Sequence, residues 1–160
     1  SPERSKVPHS GYYTQEEVKE IIAYASERQI TIIPEIEMPG HASAAIAAYP
    51  WLGTIGELNE VPTVFGKLPD SFNVSDPRVY DFLENVLSEV MDLFPSNIIH
   101  IGGDEVKFDA WKSSEEIQDF MKENGLASPA DLHIFFTNRI SNYLNKNGFG
   151  FGFKSDTRRL

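Results

Sequence analysis

Apolar residues recur along this chain with two different periods, and the two kinds of segment alternate. Val18, Ile21, Ile22 and Ala25 fall at helical spacing. Just before them, Thr14-Gln15-Glu16-Glu17 has the form of a capping box, in which Thr14 caps the helix and Glu17 reaches back. That pair predicts a helix from Thr14 to about Arg28. A stronger stripe follows Pro77, which suits a first helical position after Ser75 or Asp76. Val79, Phe82, Leu83, Val86, Leu87, Val90 and Met91 line one face of it, and Phe94-Pro95 closes it. Ser114 caps a further helix over Glu115 to Asn124, with Gly125 as its stop. The last helix runs from Ala130 to Asn145, with Leu132, Phe135, Phe136, Ile140 and Leu144 facing inward. Ala42 to Tyr49 is alanine-rich and predicts a short helix.

Between these helices lie two runs without helical period. Ile30 to Glu37 is β-branched and nearly all apolar before Pro34, as in a strand buried on both faces, and Met38-Pro39-Gly40-His41 breaks it. Asn97 to Gly103 is a second strand of the same type. The first dozen residues and the proline- and glycine-rich stretch from Pro50 to Pro77 read as loops, and a loop as long as the second is usually functional. Helices alternating with buried strands predict a parallel α/β sheet. Two or three strands cannot close a barrel, and a (β/α)8 barrel needs about 250 residues. The 160 residues are therefore expected to form one domain that is part of such a barrel, lacking strands at both ends.

Composition narrows the partners. The formal net charge is −10 with no basic block, which argues against nucleic acid or an anionic membrane as partner. The chain has no cysteine, which rules out disulfides, thiolate metal sites and cysteine nucleophiles. No apolar run reaches the ~18 residues of a membrane span, and no signal peptide is visible.

Candidate chemistry gathers just after the two strands. Glu35, Glu37 and His41 follow the first, and His100, Asp104 and Glu105 end or follow the second. In parallel α/β folds ligands bind at the carboxyl ends of the strands, so both groups would face one mouth. Gly102 and Gly103 let the chain bend there, so that two consecutive carboxylates can approach one ligand. Neighbouring carboxylates resist joint ionisation, and a glycosidase acid must still hold a proton near neutral pH. A plainer reading stands beside each of these. An Asp-Glu pair is most often a solvated surface feature, His100 fits a hydrogen-bonded core histidine, and Trp51 and Trp111 can fill a core as well as stack on a sugar. His41, His100, Asp104 and Glu105 could also ligate a divalent metal, although no His-x-His or H-E-x-x-H spacing is present.

The motif His100-Ile101-Gly102-Gly103-Asp104-Glu105-Val106 resembles the active-site signature of glycoside hydrolase family 20, the β-N-acetylhexosaminidases. Ile33-Pro34-Glu35-Ile36-Glu37-Met38-Pro39-Gly40-His41 is similar to that family's other strong motif, in the same order. Gly11-Tyr12-Tyr13-Thr14-Gln15-Glu16-Glu17 resembles the segment that leads into the helix before it. The likeness runs from about Gly11 to Asn147, whereas residues 148–160, beginning Gly148-Phe149-Gly150-Phe151-Gly152-Phe153, depart from it. The resemblance implies a retaining hydrolysis of terminal β-linked N-acetylhexosamine in which the substrate's own acetamido group is the nucleophile. It implies Glu105 as general acid, Asp104 as the residue that orients the acetamido group, and His41, Glu37 and His100 as substrate-site residues. An amino-sugar glycan is the implied partner, with no metal or organic cofactor, in the periplasmic or extracellular space. Residues that the family carries on other strands, among them an arginine and several tryptophans, are not in this chain. The alternative expectation is therefore a barrel piece that does not turn over substrate and binds sugar weakly.

Overall fold

The computed structural model describes residues 11–56, 61 and 70–153. The loop expected over the first residues up to 10, much of the Pro50–Pro77 stretch, and the tail from Lys154 lie outside the described residues. Helix α1 (Gln15–Ser26) opens on the expected capping box: Glu17 N–H donates to Thr14 Oγ1 at 3.2 Å and Thr14 N–H to Glu17 Oε2 at 2.7 Å. The helix ends where Gln29 turns left-handed (φ +59), letting Ile30 N–H return to the Ala25 carbonyl. Helix α2 (Ser43–Ala48) and a 3-10 turn (Pro50–Leu52) follow. Helix α3 (Pro77–Leu93) starts at Asp76, whose side chain accepts the Arg78 N–H, with proline in the first turn.

Strand β1 (Ile98–His100) leads into a short helix α4 (Asp109–Ser113), then α5 (Glu115–Glu123) and α6 (Pro129–Lys146). Strand β2 (Gly150–Gly152) returns beside β1 in parallel, pairing Ile98 with Gly150 and His100 with Gly152. On the other side of β1 lies residues 34–38. His100 N–H donates to the Pro34 carbonyl, Ile36 N–H to His100 and Met38 N–H to Ile101, all at 2.8–3.0 Å. Three extended segments therefore run parallel with β1 in the middle, and a helical connection joins each to the next.

The expected strand from Ile30 differs from its reading in two ways. Its regular pairing is confined to the residues around the Glu35–His100 bridge, and it is not buried on both faces, since Ile30 and Ile33 are at least half exposed. Pro34 has no N–H to donate, which limits the ladder on that side. The GFGFGF run, expected from the sequence to depart from the family pattern, is where β2 forms: glycine alternates with phenylalanine so that only Gly-sized residues meet the β1 side chains.

Alternation along β1 divides the two sides of this array. Ile99 and Ile101 are fully buried against the helices, in one cluster with Leu83, Leu87, Leu132, Phe136, Ile140 and Leu144 from α3 and α6. Burying a Leu- or Ile-sized side chain contributes about 1.5–3 kcal/mol, so this seam is what fixes the array to its helices. His100 and Gly102, at the alternate positions, face the opposite side with Glu35 and Glu37. Trp111 is also fully buried, and its indole N–H donates to the Phe72 carbonyl at 3.1 Å, so it fills the core and is closed to a sugar.

Candidate active site

The carboxyl ends of the first two parallel segments carry all the side chains of interest. Glu37 sits one residue before the Met38-Pro39 turn, and His41 follows in a left-handed conformation (φ +51) that carries its ring back toward the strand end. That turn is tied on two sides: Met38 N–H donates to Ile101 and the Pro39 carbonyl accepts the Phe72 N–H at 2.9 Å. After β1 the backbone takes positive φ at Gly102 (+65), Gly103 (+97) and Glu105 (+57). A Cβ at Gly102 would run into the Glu37 carboxylate, and one at Gly103 into the Phe153 ring. Glycine is required at both places by space as well as by conformation.

The two turns bring their side chains together. His41 Nδ1 lies 3.4 Å from Glu37 Oε1, and His41 Nε2 lies 3.7 Å from Glu105 Oε2. Glu37 Oε1 also accepts the Gly103 N–H at 3.0 Å. Asp104 closes the group: it, Glu37 and His41 each present a ligating atom within 4.8 Å of the others. His100 stands one residue further back on β1, with its Nδ1 3.0 Å from the Gly102 nitrogen and 3.1 Å from Glu35 Oε1. Four of the six residues gathered at the strand ends in the sequence, Glu37, His41, Asp104 and Glu105, thus share one cluster. His100 is turned toward the Gly102 hinge and Glu35.

Partial burial pushes the Glu37 carboxyl above its ordinary range; the Gly103 N–H works against this, the nearby Asp104 charge adds to it, His41 opposes it and Glu35 adds a little more. The cluster is acidic around one histidine, so it suits a proton in transit or a substrate that develops positive charge. Three such groups around one point are also the donor set of a divalent-ion site, and an oxygen-rich set with one imidazole would take a hard or borderline ion.

Sequence reasoning passed over Asp70, which is buried in the expected loop. Its Oδ1 accepts three backbone N–H groups, from Ser71 at 2.8 Å, Thr54 at 3.1 Å and Ile55 at 3.3 Å. A carboxylate in a stretch without period carries no pattern that would single it out.

Parallel segments joined by helices, with paired carboxylates where the strands end, define an α/β protein of the TIM-barrel type. The catalytic domain of glycosyl hydrolase family 20 matches residues 1–153, and the chain belongs to that family. Among curated relatives, a beta-hexosaminidase of Porphyromonas gingivalis is 43% identical over 140 residues, covering 88% of this chain and 18% of its own length. One from Vibrio furnissii is 45% identical over 125 residues, 78% of this chain and 20% of its own length. A crystal structure of a beta-N-acetylhexosaminidase superposes with a TM-score of 0.92 at 32% identity, over 96% of this chain and 33% of that one. The beta-N-acetylhexosaminidase of Bacteroides fragilis superposes at 0.82 with 40% identity, over 92% and 29%. The chain therefore spans about a fifth to a third of the length of these relatives.

Proposed function

We propose that this chain supplies the acid-bearing segment of a (β/α)8 barrel that removes terminal non-reducing β-linked N-acetylhexosamine from a glycan, GlcNAc or GalNAc, outside the cytoplasm. The observation that carries this reading is the chain of contacts Glu37–His41–Glu105 with Asp104 beside it, set at the ends of parallel strands. Family membership supports it, as does the printed description of a Vibrio harveyi relative, an exo beta-N-acetylglucosaminidase in complex with N-acetylglucosamine. Exposed Ile30 and Ile33 on one side, and Phe151 and Phe153 on the other, support further barrel strands covering this sheet.

In the proposed reaction the acetamido carbonyl oxygen of the substrate attacks the anomeric carbon. The C–O bond to the leaving sugar breaks, and Glu105 gives its proton to that oxygen, which leaves an oxazolinium ion. Water then adds to the anomeric carbon as Glu105 takes a proton back, and the acetamido group is restored. Asp104 holds the acetamido N–H and faces the positive charge as it develops, so its interaction is stronger in the transition state than in the ground state. His41, between Glu37 and Glu105, steers the acid and passes charge changes to the more deeply set Glu37.

The test is hydrolysis of a chromogenic N-acetylglucosaminide by the full-length protein. Glu105→Gln should lower kcat by about 10²–10⁴-fold, the usual worth of a general acid. Asp104→Asn should cost about 2.7–4 kcal/mol of transition-state stabilisation by analogy with other preorganised electrostatic groups. Unchanged turnover in Glu105→Gln would remove the assignment. Activity lost to a chelator and restored by a divalent ion would move the function of Glu37, His41 and Asp104 to metal binding.

A further inference from the structure

Between Gly102 and Glu105 three of four residues have positive φ. Such a turn holds one shape only if its surroundings fix it, because left-handed backbone at a non-glycine residue costs of order 1–3 kcal/mol. Two side chains do so by catching successive peptide N–H groups. Glu37 takes the N–H of Gly103, and His100 Nδ1 takes the N–H of Gly102, each at 3.0 Å. The His100 ring is itself gripped, since a Cβ on Gly152 of β2 would overlap its Cδ2 edge.

The same Nδ1 has a second neighbour, Glu35 Oε1 at 3.1 Å. The two contacts are mutually exclusive in protonation. Gly102 can donate only to an Nδ1 that keeps its lone pair, whereas Glu35 can be served only by an Nδ1 that carries a proton. Among the described residues, Glu35 touches the ring, and the other titratable groups on the segments that flank it are Glu37 on the paired segment and Asp104 and Glu105 beyond the hinge. The facing residues of β2, Gly150 to Phe153, bring no charge.

We propose that His100 is a positioning residue for the Asp104–Glu105 pair, holding it through the Gly102 N–H, with Glu35 as the competing partner that claims the ring when Nδ1 is protonated. The neutral Nε2–H tautomer fixes the hinge and aims the acid. Protonation of Nδ1 turns the bond toward Glu35 and frees the Gly102 peptide. This role adds to the proposed glycosidase reading, and only its kinetic part rests on that reading.

Selective ¹⁵N labelling of glycine and histidine in the full-length protein tests it without any substrate. At neutral pH the His100 Nδ1 should give the resonance of an unprotonated nitrogen. On acidification the His100 nitrogens and the Gly102 amide should shift together with one midpoint. Glu35→Gln removes the competing carboxylate and should leave the Gly102 amide shift at neutral pH in place. Asparagine places an acceptor near the Nδ1 position, so His100→Asn should keep the Gly102 amide shift at neutral pH and make it insensitive to acid. His100→Leu should lose the shift. In the hydrolysis assay His100→Leu should lower kcat about 100-fold with KM within roughly threefold, and His100→Asn should recover most of kcat. A protonated Nδ1 at neutral pH, a Gly102 amide that ignores the His100 titration, or an asparagine variant as impaired as the leucine one would overturn the proposal. If the wild-type protein hydrolyses nothing, the glycosidase reading fails, and the labelled spectra still decide this one.

Discussion

Glu37 and Asp70 are both carboxylates that burial pushes above their ordinary range, and both accept backbone N–H groups at turns. Their surroundings differ in kind. Asp70 takes three N–H groups at the neck of a loop, where Gly53 and Phe72 pair across the chain, and the groups that act on its ionisation are backbone amides alone. Glu37 takes one N–H and faces His41, Asp104 and Glu35. The same residue chemistry thus serves as a staple where its acceptors are spent on backbone, and as part of a proton-handling group where they are not. The number of satisfied backbone donors, more than the depth of burial, separates the two roles.

The largest effect should come from removing the staple. Asp70→Ala leaves the amides of Ile55 and Ser71 without their acceptor and Thr54 with the Ser71 carbonyl alone, and should cost about 3 kcal/mol in equilibrium unfolding. Glu37→Ala removes the acceptor of the single Gly103 N–H and the carboxylate beside His41, and should cost about 1 kcal/mol. Equal losses in the two variants, read from denaturant midpoints at constant m-value, would erase the distinction.

A smaller effect should separate the two sites by function. Glu37→Gln keeps an acceptor for Gly103 but removes the charge next to His41, so kcat/KM for an N-acetylglucosaminide should fall by about 10–100-fold (roughly 1.4–2.7 kcal/mol). Its melting temperature should stay within about 2 °C of wild type. Asp70→Asn should leave turnover within roughly twofold, since Asp70 touches only the loop neck. A glutamine variant with full activity would place Glu37 with Asp70 as a structural carboxylate.

How far the sequence could be read follows the same divide. The capping box at Thr14, the stripes of α3 and α6 and the breaks at Gly125 and Phe94 are local patterns, and each helix formed within a few residues of its expected bounds. Glu37, His41, Asp104 and Glu105 were legible as a group because strand ends converge in a parallel sheet, whatever the details of packing. Other features depend on tertiary contact and left no period to find. The exposure of Ile30 and Ile33 depends on what lies beside the sheet. Asp70 depends on a loop returning to residues 53–55. The turning of His100 toward Gly102 depends on Gly152, which a parallel pairing brings across some fifty residues of chain.

The smallest effect tests the shared property, the upward pull of burial. A carboxyl whose pKa is raised in the folded state binds its proton more readily there than in the unfolded chain. Its ionisation then costs stability in full above the folded value, and the cost fades as pH falls through that value toward the unfolded one near 3.8. Asp70→Asn removes this dependence, so the variant should gain on wild type as pH rises from about 4 to 7, a relative drift of about 1–2 °C in Tm. Asp76 gives the opposite sign. Hydrogen bonding to Arg78 holds its carboxyl below the ordinary range, so its contribution is present above the unfolded value and is lost as pH falls through the folded one. Asp76→Asn should therefore fall behind wild type as pH rises towards about 4 and stay a constant interval behind it from there to pH 7. Parallel melting curves for wild type and Asp70→Asn from pH 4 to 7 would mean that three amide donors fully offset the burial, and would leave Glu37, of the two, as the carboxyl that burial raises.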